Sequence, residues 1–206
     1  MRTIRRSGEF ELEVKKSRFL CALARVRSEA EAREFVQARR KLHHDARHHC
    51  PAFVLGDRGE TQKSSDDGEP AGTAGVPMLE VLRRNEITNA VAVVTRYFGG
   101  VLLGAGGLVR AYGGAVAAGL DHVGLVERRP VRIVSTTVDY LQAGKLENDL
   151  RSSGHQVADV DYGEQVRFDI GVGESQVAEF ETWLAEATGG TATISLGELT
   201  HAEVDV

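Results

Sequence analysis

The chain has 206 residues, of which 42% are hydrophobic and 27% are charged, as in an ordinary folded globular protein. No stretch approaches the roughly 20 consecutive apolar residues of a membrane-spanning helix. The basic N-terminus lacks the apolar run of a signal peptide, so we expect a cytoplasmic protein with no membrane contact. Two cysteines, Cys21 and Cys50, suit buried reduced thiols better than a disulfide framework.

The formal net charge of −5 hides an uneven distribution of charged residues. Residues 1–130 carry 21 Lys and Arg against 16 Asp and Glu, a net charge of +5. Residues 131–206 carry 4 against 14, a net charge of −10. The charged segment 127–130 ends in proline, a pattern that predicts a linker. We therefore predict two α+β domains, 1–127 and 131–206, with different surfaces and different partners.

The first domain begins with two strands and a helix. Apolar and charged residues alternate over 10–15, which predicts a half-buried strand. The basic segment 15–18 predicts a break before 19–24, which is either a second strand or a continuation of the first. Ser28 then begins a capping-box pattern, and apolar residues at helical spacing follow it as far as Leu42.

Segment 43–50 contains four histidines and Cys50 but lacks the ligand spacing of a zinc site. A strand over 46–55, with His48 and Cys50 on one face, explains the pattern better. Pro51 has no backbone N–H, so we expect it at a sheet edge or a bulge. His48 and Cys50 also leave open a hydrolytic function in which Cys50 is the nucleophile.

A polar segment, 56–65, predicts a loop that leads to three carboxylates within four residues. Asp66, Asp67 and Glu69 could hold a hard cation such as Mg²⁺. Alternatively, they accept backbone N–H groups in a turn or pair with arginines, which is the preferred interpretation. Thr73 is then positioned to cap the helix that follows.

A glycine-rich stretch organises the first domain. It follows an apolar run at 90–95, which predicts a strand buried on both faces, and it precedes a helix that begins near residue 106. Backbone N–H groups at such a helix start bind phosphate or another anion. The same glycines also permit a tight turn and close packing. The glycines and the arginines that frame them are Gly99, Gly100, Gly104, Gly106, Gly107, Arg96 and Arg110.

The second domain has a simpler pattern. Strand signals at 131–138, 156–162, 164–172 and 191–196 alternate with helical patterns at 140–152 and 176–187. This β-α-β-β-α-β order is ferredoxin-like. The domain contains no catalytic constellation.

Two motifs, in this order, resemble those of the IMPACT/YigZ family. They are Asp66-Asp-Gly-Glu-Pro-Ala-Gly-Thr-Ala-Gly-Val-Pro77 and Arg96-Tyr-Phe-Gly-Gly-Val-Leu-Leu-Gly-Ala-Gly-Gly-Leu-Val-Arg-Ala-Tyr112. The similarity extends to segments 15–19 and 46–53 and covers essentially the whole chain. It implies a first domain like the second domain of ribosomal protein S-five, with a left-handed βαβ crossover. It also implies a ferredoxin-like domain similar to the last domain of translation elongation factor G.

Three functions are open at this point. The first, implied by the resemblance and by the basic first domain, is a non-enzymatic regulator linked to translation that binds RNA, the ribosome or a ribosome-associated factor. The second is an enzyme that acts on a small phosphate-containing ligand at the glycine-rich loop, possibly with a divalent metal. The third is the Cys–His hydrolase. No cofactor and no resident metal are predicted.

The candidate residues fall into two sets. The predicted anion-binding or nucleic-acid-binding residues are Lys15, Lys16, Arg18, Arg96, Gly99, Gly100, Gly104, Gly106, Gly107 and Arg110. The predicted cleft residues are His48, Asp66, Asp67, Glu69 and Thr73. We expect Arg96 and Arg110 to point into one cleft near the carboxylates.

Overall fold

The computed structural model describes residues 1–205, and Val206, which the predicted second domain includes, lies outside them. The described residues form two compact units, 1–127 with Asp205 and 128–204. Each unit contains helices and strands, so the predicted α+β fold with two units is confirmed. None of the helices within residues 1–205 is long and apolar enough to cross a membrane.

The strands are β1 Arg2–Ile4, β2 Gly8–Val14, β3 Ser17–Arg25, β4 His48–Leu55, β5 Thr61–Ser64, β6 Ala90–Tyr97, β7 Leu125–Val138, β8 Gln156–Tyr162, β9 Val166–Gly173 and β10 Thr193–Asp205. The α-helices are α1 Glu29–Leu42, α2 Gly75–Arg84, α3 Ala105–Val123, α4 Tyr140–Ser152 and α5 Val177–Thr188.

The sheet of the first unit has the strand order β2-β3-β6-β4-β5, and all neighbouring strands are antiparallel. Because β3 and β4 both run antiparallel to β6, they are parallel to each other with β6 between them. The β3–α1–β4 crossover therefore spans a strand that the chain supplies later. This order places the ends of β3, β4 and β6 around Arg96.

β6 is buried on both faces, as its apolar sequence predicts. Ala92 and Val94 face a core that includes residues of α2 and α3. Val91 and Val93 face a second core that contains Ala32 of α1. The sheet is therefore covered by helices on both sides, which explains why β6 has no polar face.

The hairpin of β2 and β3 has an unusual turn. Val14 pairs with Ser17, so the turn consists of Lys15 and Lys16 alone. Both lysines have positive φ angles, 48° and 66°, as in the type I′ turn, which strongly favours asparagine and glycine. Two residues with a Cβ thus occupy a backbone conformation that costs them free energy.

In the second unit the sheet order is β10-β7-β9-β8. α4 and α5 contribute Leu150 and Phe180 to a core shared with Phe168 of β9. Numbered within the unit, the strands follow the order 4-1-3-2, which confirms the predicted ferredoxin-like arrangement. Its last strand, β10, is longer than predicted, and its side chains are mostly exposed.

Two predictions about connecting segments are wrong. Residues Thr61–Ser64 of the predicted loop form β5, an edge strand that pairs with β4. Its side chains are polar and mostly exposed, so its sequence lacks the apolar pattern that predicts a strand. Segment 127–130, predicted as a linker, lies inside β7, because Leu125 to Glu127 pair with β1 and residues 131–138 pair with β9.

Pro51 lies inside the sheet, contrary to the prediction of an edge or a bulge. It pairs in register with Val93 of β6, and its carbonyl accepts the Ser65 N–H at 3.0 Å. The nitrogen and the carbonyl of a strand residue face the same neighbouring strand. The missing N–H therefore faces the side where β5 has just ended at Ser64, and it costs no bond to β6.

The cap of α2 is also not the predicted one. The N-cap residue is Ala74, and the Asp66 carboxylate accepts the N–H groups of Ala74 and Gly75 at 3.0 and 2.8 Å. The Thr73 hydroxyl instead donates to the Pro70 carbonyl at 2.7 Å. Asp66 replaces the expected cap because its turn carries the carboxylate back to the helix start.

Candidate functional site

Glu69 and Arg96 form an ion pair in the interior of the first unit. Arg96 Nη1 donates to both carboxylate oxygens at 2.7 and 3.0 Å, and only 8% of Arg96 and 3% of the Glu69 side chain are exposed. The Tyr112 hydroxyl donates to Glu69 Oε1 at 2.8 Å. Burial raises the pKa of Tyr112, so this donor keeps its proton. Glu69 and Tyr112 together fix Arg96 near the end of β6.

The Arg96 guanidinium also lies between two aromatic rings. Its Cζ is 5.5 Å from the centre of Phe19 and 5.6 Å from that of Phe98, distances typical of cation–π contacts. Phe19 is fully buried, whereas Phe98 is 57% exposed. The ring of Phe98 therefore presents an apolar surface that is held in place by a buried cation.

An open cleft of about 590 Å³ lies beside Arg96. Its lining comes from the segment before β4 and from the end of β6 with the loop after it. The lining residues are Asp45, Ala46, Arg47, His48, Arg96, Tyr97, Phe98 and Leu102. Apolar surface combined with a few charged groups is characteristic of a site for a small organic group.

A series of hydrogen bonds between side chains orients Asp45 at this cleft. Arg39 can only donate, and it lies 2.7 Å from His43 Nε2, so that nitrogen accepts and Nδ1 carries the ring proton. His43 Nδ1 then donates to the Tyr97 hydroxyl oxygen at 3.0 Å, and the hydroxyl donates to Asp45 Oδ1 at 2.9 Å. This hydroxyl holds the pKa of Asp45 below its ordinary value, which keeps the carboxylate charged.

His48, a predicted cleft residue, does line the cleft. Its Nδ1 lies 2.9 Å from the Asp67 carbonyl oxygen. A carbonyl only accepts, so Nδ1 carries the proton and donates. Nε2 is then the ring nitrogen left for a ligand.

The three clustered carboxylates serve three different partners. Asp66 caps α2, Glu69 binds Arg96, and Asp67 pairs with Arg40 and accepts the His49 N–H at 2.6 Å. Partial burial opposes ionisation of Asp66 and Asp67, but these donors hold the pKa of both below the ordinary value. Over residues 1–205 no three side chains of ligating type are placed to share a metal ion. The turn interpretation therefore describes this cluster better than the cation site.

Cys50 cannot act as the nucleophile of a Cys–His hydrolase. Its side chain is fully buried, and its thiol donates to the Asp66 carbonyl at 3.0 Å. Burial raises the pKa of the thiol to about 12, so almost no reactive thiolate exists at neutral pH.

The predicted glycines have different roles. A Cβ on Gly99 would lie 2.0 Å from the backbone of Lys16, so close approach of the Lys15–Lys16 turn requires glycine there. Gly104 is the N-cap residue of α3, with a φ of 74°. A Cβ on Gly106 would meet no atom within 4 Å, and this is also true at Gly100. Gly107 approaches only the side chain of Leu103.

The predicted basic residues are not equivalent. Lys15 and Lys16 are exposed, and neither forms an ion pair with another residue in the described part of the chain. Arg18 binds Glu11 through two hydrogen bonds of 2.7 and 2.8 Å and lies over the Tyr97 ring. Arg110 is exposed on α3 and does not line the cleft beside Arg96. The two arginines that frame the glycines therefore do not converge as expected.

Sequence reasoning missed Asp45, Arg47 and Leu102. Asp45 and Arg47 lie among the histidines that suggested a metal site, and no local pattern marks them as lining residues. Leu102 could have been noticed, because it lies within the glycine-rich stretch. It is 84% exposed.

The fold and the site define a class of two-unit α+β protein whose first unit carries an aromatic and basic cleft beside a glycine-rich loop. Residues 15–120 match the model of the Impact N-terminal domain, and residues 136–191 match a domain of unknown function, DUF1949. The chain therefore belongs to the IMPACT family, as its two motifs predict.

Similar proteins cover almost the same length. IMPACT family member YvyE of Bacillus subtilis is 50% identical over 201 residues, 98% of this chain and 93% of that protein. IMPACT family member YigZ of Escherichia coli is 40% identical over 181 residues, 87% and 89% of the two chains. A crystal structure of a hypothetical protein covers 96% of each chain, with 37% identity and a TM-score of 0.60.

Proposed function

We propose that this protein is a non-enzymatic, cytoplasmic regulator linked to translation that binds single-stranded RNA through its first unit. The RNA backbone contacts Lys15 and Lys16, and an unpaired base stacks on Phe98. The start of α3 at Gly104 and Gly106 binds a phosphate, because the first N–H groups of a helix have no partner within it.

The observation that carries the proposal is the Lys15–Lys16 turn. A type I′ turn with lysine at both central positions is strained, and such strain persists mainly where function requires the side chains. The turn packs against Gly99, only one residue from Phe98. The turn that carries these two exposed lysines thus packs one residue away from an exposed aromatic ring, and proteins combine cations with aromatic rings to bind single-stranded nucleic acid.

The cleft favours single strands over duplex RNA. An exposed ring held by Arg96 can accept a base only if that base is unstacked. Exposed Arg47 lines the same cleft and supplies a further cation. The acidic second unit repels a polyanion, which restricts binding to the first unit.

Fluorescence anisotropy with the full chain and an oligouridine of about 12 nucleotides tests this proposal, since this length is within the usual range of single-strand sites. We expect binding that weakens steeply between about 50 and 200 mM salt, because contacts to phosphate release counterions. Duplex RNA of the same length should bind more weakly. Absence of binding at low salt would overturn the proposal and leave a protein partner or a small phosphate-containing ligand.

Two variants identify the surface. Lys15→Asn/Lys16→Gly keeps the turn and removes two charges, so the slope of log K against log salt should fall by about 1.4. The matched control is Lys41→Asn/Lys145→Asn, which removes two exposed lysines elsewhere. Equal effects of the two double variants would exclude the Lys15–Lys16 turn from the interface.

A further inference from the structure

We propose that the cleft beside Arg96 binds one unpaired guanine base, which stacks on Phe98 and donates its N1–H and N2–H to the Asp45 carboxylate. This inference rests on the proposed RNA-binding function and deepens it, because it assigns a base preference to a protein that otherwise recognises the RNA backbone.

Asp45 is the group that selects the base. A carboxylate only accepts hydrogen bonds, and it accepts two side by side. Guanine is the one common RNA base whose Watson–Crick edge has two adjacent donors, N1–H and N2–H. Adenine and cytosine present a ring-nitrogen acceptor at the corresponding position, and uracil has a single donor between two carbonyl oxygens. The carboxylate therefore favours guanine over the other three bases.

The orientation of Asp45 is set before a ligand arrives. The chain from Arg39 through His43 to Tyr97 delivers one hydrogen bond to Oδ1. A carboxylate has about four acceptor positions, and the backbone of Asp45 itself occupies a second one, so about two stay available to the base. The direction of each hydrogen bond in this series is fixed. The carboxylate is therefore oriented before a ligand binds.

The rest of the lining fits the remainder of a guanine. Phe98 supplies an exposed ring whose contact with Arg96 limits its movement. Arg47 lines the same cleft and is a donor that matches the O6 and N7 acceptors of guanine, the commonest arginine–base pairing. The volume of about 590 Å³ lies in the range of small-ligand sites.

The test compares oligouridines that carry one central guanine, adenine or inosine, measured with the full-length protein. We expect the guanine oligonucleotide to bind about tenfold more tightly than the adenine one, as a two-bond base contact provides. Inosine keeps N1–H but lacks the N2 amine, so its affinity should be intermediate. Equal affinity for guanine and adenine oligonucleotides would overturn the inference, although general RNA binding would stand.

Variants distinguish recognition of the base by Asp45 from the general effect of removing a negative charge. Asp45→Asn should abolish the preference for guanine, whereas Asp121→Asn, which removes an exposed carboxylate on α3, should leave it unchanged. Tyr97→Phe removes the hydroxyl that positions Asp45 and should reduce the preference without removing it. A preference that survives in Asp45→Asn would exclude this carboxylate as the reader.

If oligouridine does not bind, the proposed function is refuted, but the guanine site can still be tested by a second measurement. Guanosine 5′-monophosphate and adenosine 5′-monophosphate are titrated separately while backbone amide resonances are followed. The guanine nucleotide should shift the amides of 45–48 and 96–102, and it should fail to do so in Asp45→Asn. Identical shifts with both nucleotides would overturn the guanine site.

Discussion

Glu69 accepts hydrogen bonds from Arg96 and from Tyr112 at the same time, so one buried carboxylate joins β6 to α3. Arg96→Met leaves that carboxylate without its cation in the interior. We expect a loss of about 3–5 kcal/mol of unfolding free energy, because an isolated buried charge is strongly destabilising. Chemical denaturation followed by circular dichroism measures it.

The control for this prediction is the double variant Arg96→Met/Glu69→Leu. It replaces both charges with apolar groups, so it should be more stable than the single variant. If Arg96→Met were as stable as the unmodified protein, the ion pair would not contribute to the stability of the first unit.

Removal of the strained lysines should stabilise the hairpin. In Lys15→Asn/Lys16→Gly the positive φ angles are occupied by residues that tolerate them, which should raise the unfolding free energy by about 1 kcal/mol. The variant should therefore be more stable while it binds RNA less tightly. A less stable variant would show that the lysine side chains support the fold rather than a ligand.

Two glycines close in sequence should respond differently to alanine. Gly99→Ala places a methyl group 2.0 Å from the Lys16 backbone, so the hairpin must move, at a cost of about 1–3 kcal/mol. Gly106→Ala meets open space in the first turn of α3 and should be neutral or stabilising by up to about 1 kcal/mol. Thermal unfolding distinguishes the two, and a stable Gly99→Ala would contradict the close approach.

The Asp66 cap should make stability depend on pH. Its folded-state pKa lies below the ordinary value of 3.8, so its contribution is fully present above that value and disappears as the pH falls through the folded pKa. Asp66→Asn should cost about 1 kcal/mol at neutral pH, as other helix caps do. It should also lose less stability than the unmodified protein between neutral and strongly acidic pH. Parallel pH profiles for the two proteins would rule out this role.

The sequence predicts regular elements well where the local pattern matches the environment. β6 is apolar on both faces because helices cover both faces, and β2 alternates because only one of its faces is covered. The order of elements in the second unit follows directly from its strand and helix patterns. The prediction of an edge position or a bulge for Pro51 is wrong because it depends on where β5 ends. β5 belongs to another segment, whose polar sequence predicts a loop.

The candidate site is harder to predict, because its groups meet only in the folded chain. Arg39, His43 and Asp45 come from one segment, but Tyr97, which connects them, comes from β6. Nothing local distinguishes Asp45 from any other surface acid. The glycine-rich motif contains Phe98 and Leu102, which line the cleft, whereas the partners of Arg96 depend on three-dimensional packing.

A cotranslational consequence follows from the position of β6 between β3 and β4. The hairpins β2–β3 and β4–β5 can each form as soon as they leave the exit tunnel, but neither can pair with the other. Both hairpins can join one sheet only when β6, which ends at Tyr97, is available. One face of that sheet then stays uncovered until α3, which ends at Val123, has formed. Over that interval the nascent chain exposes two half-sheets and then the apolar β6. Slow decoding while residues 90–123 are still inside the exit tunnel would prolong this exposed state, whereas slow decoding after they have emerged would no longer affect the sheet.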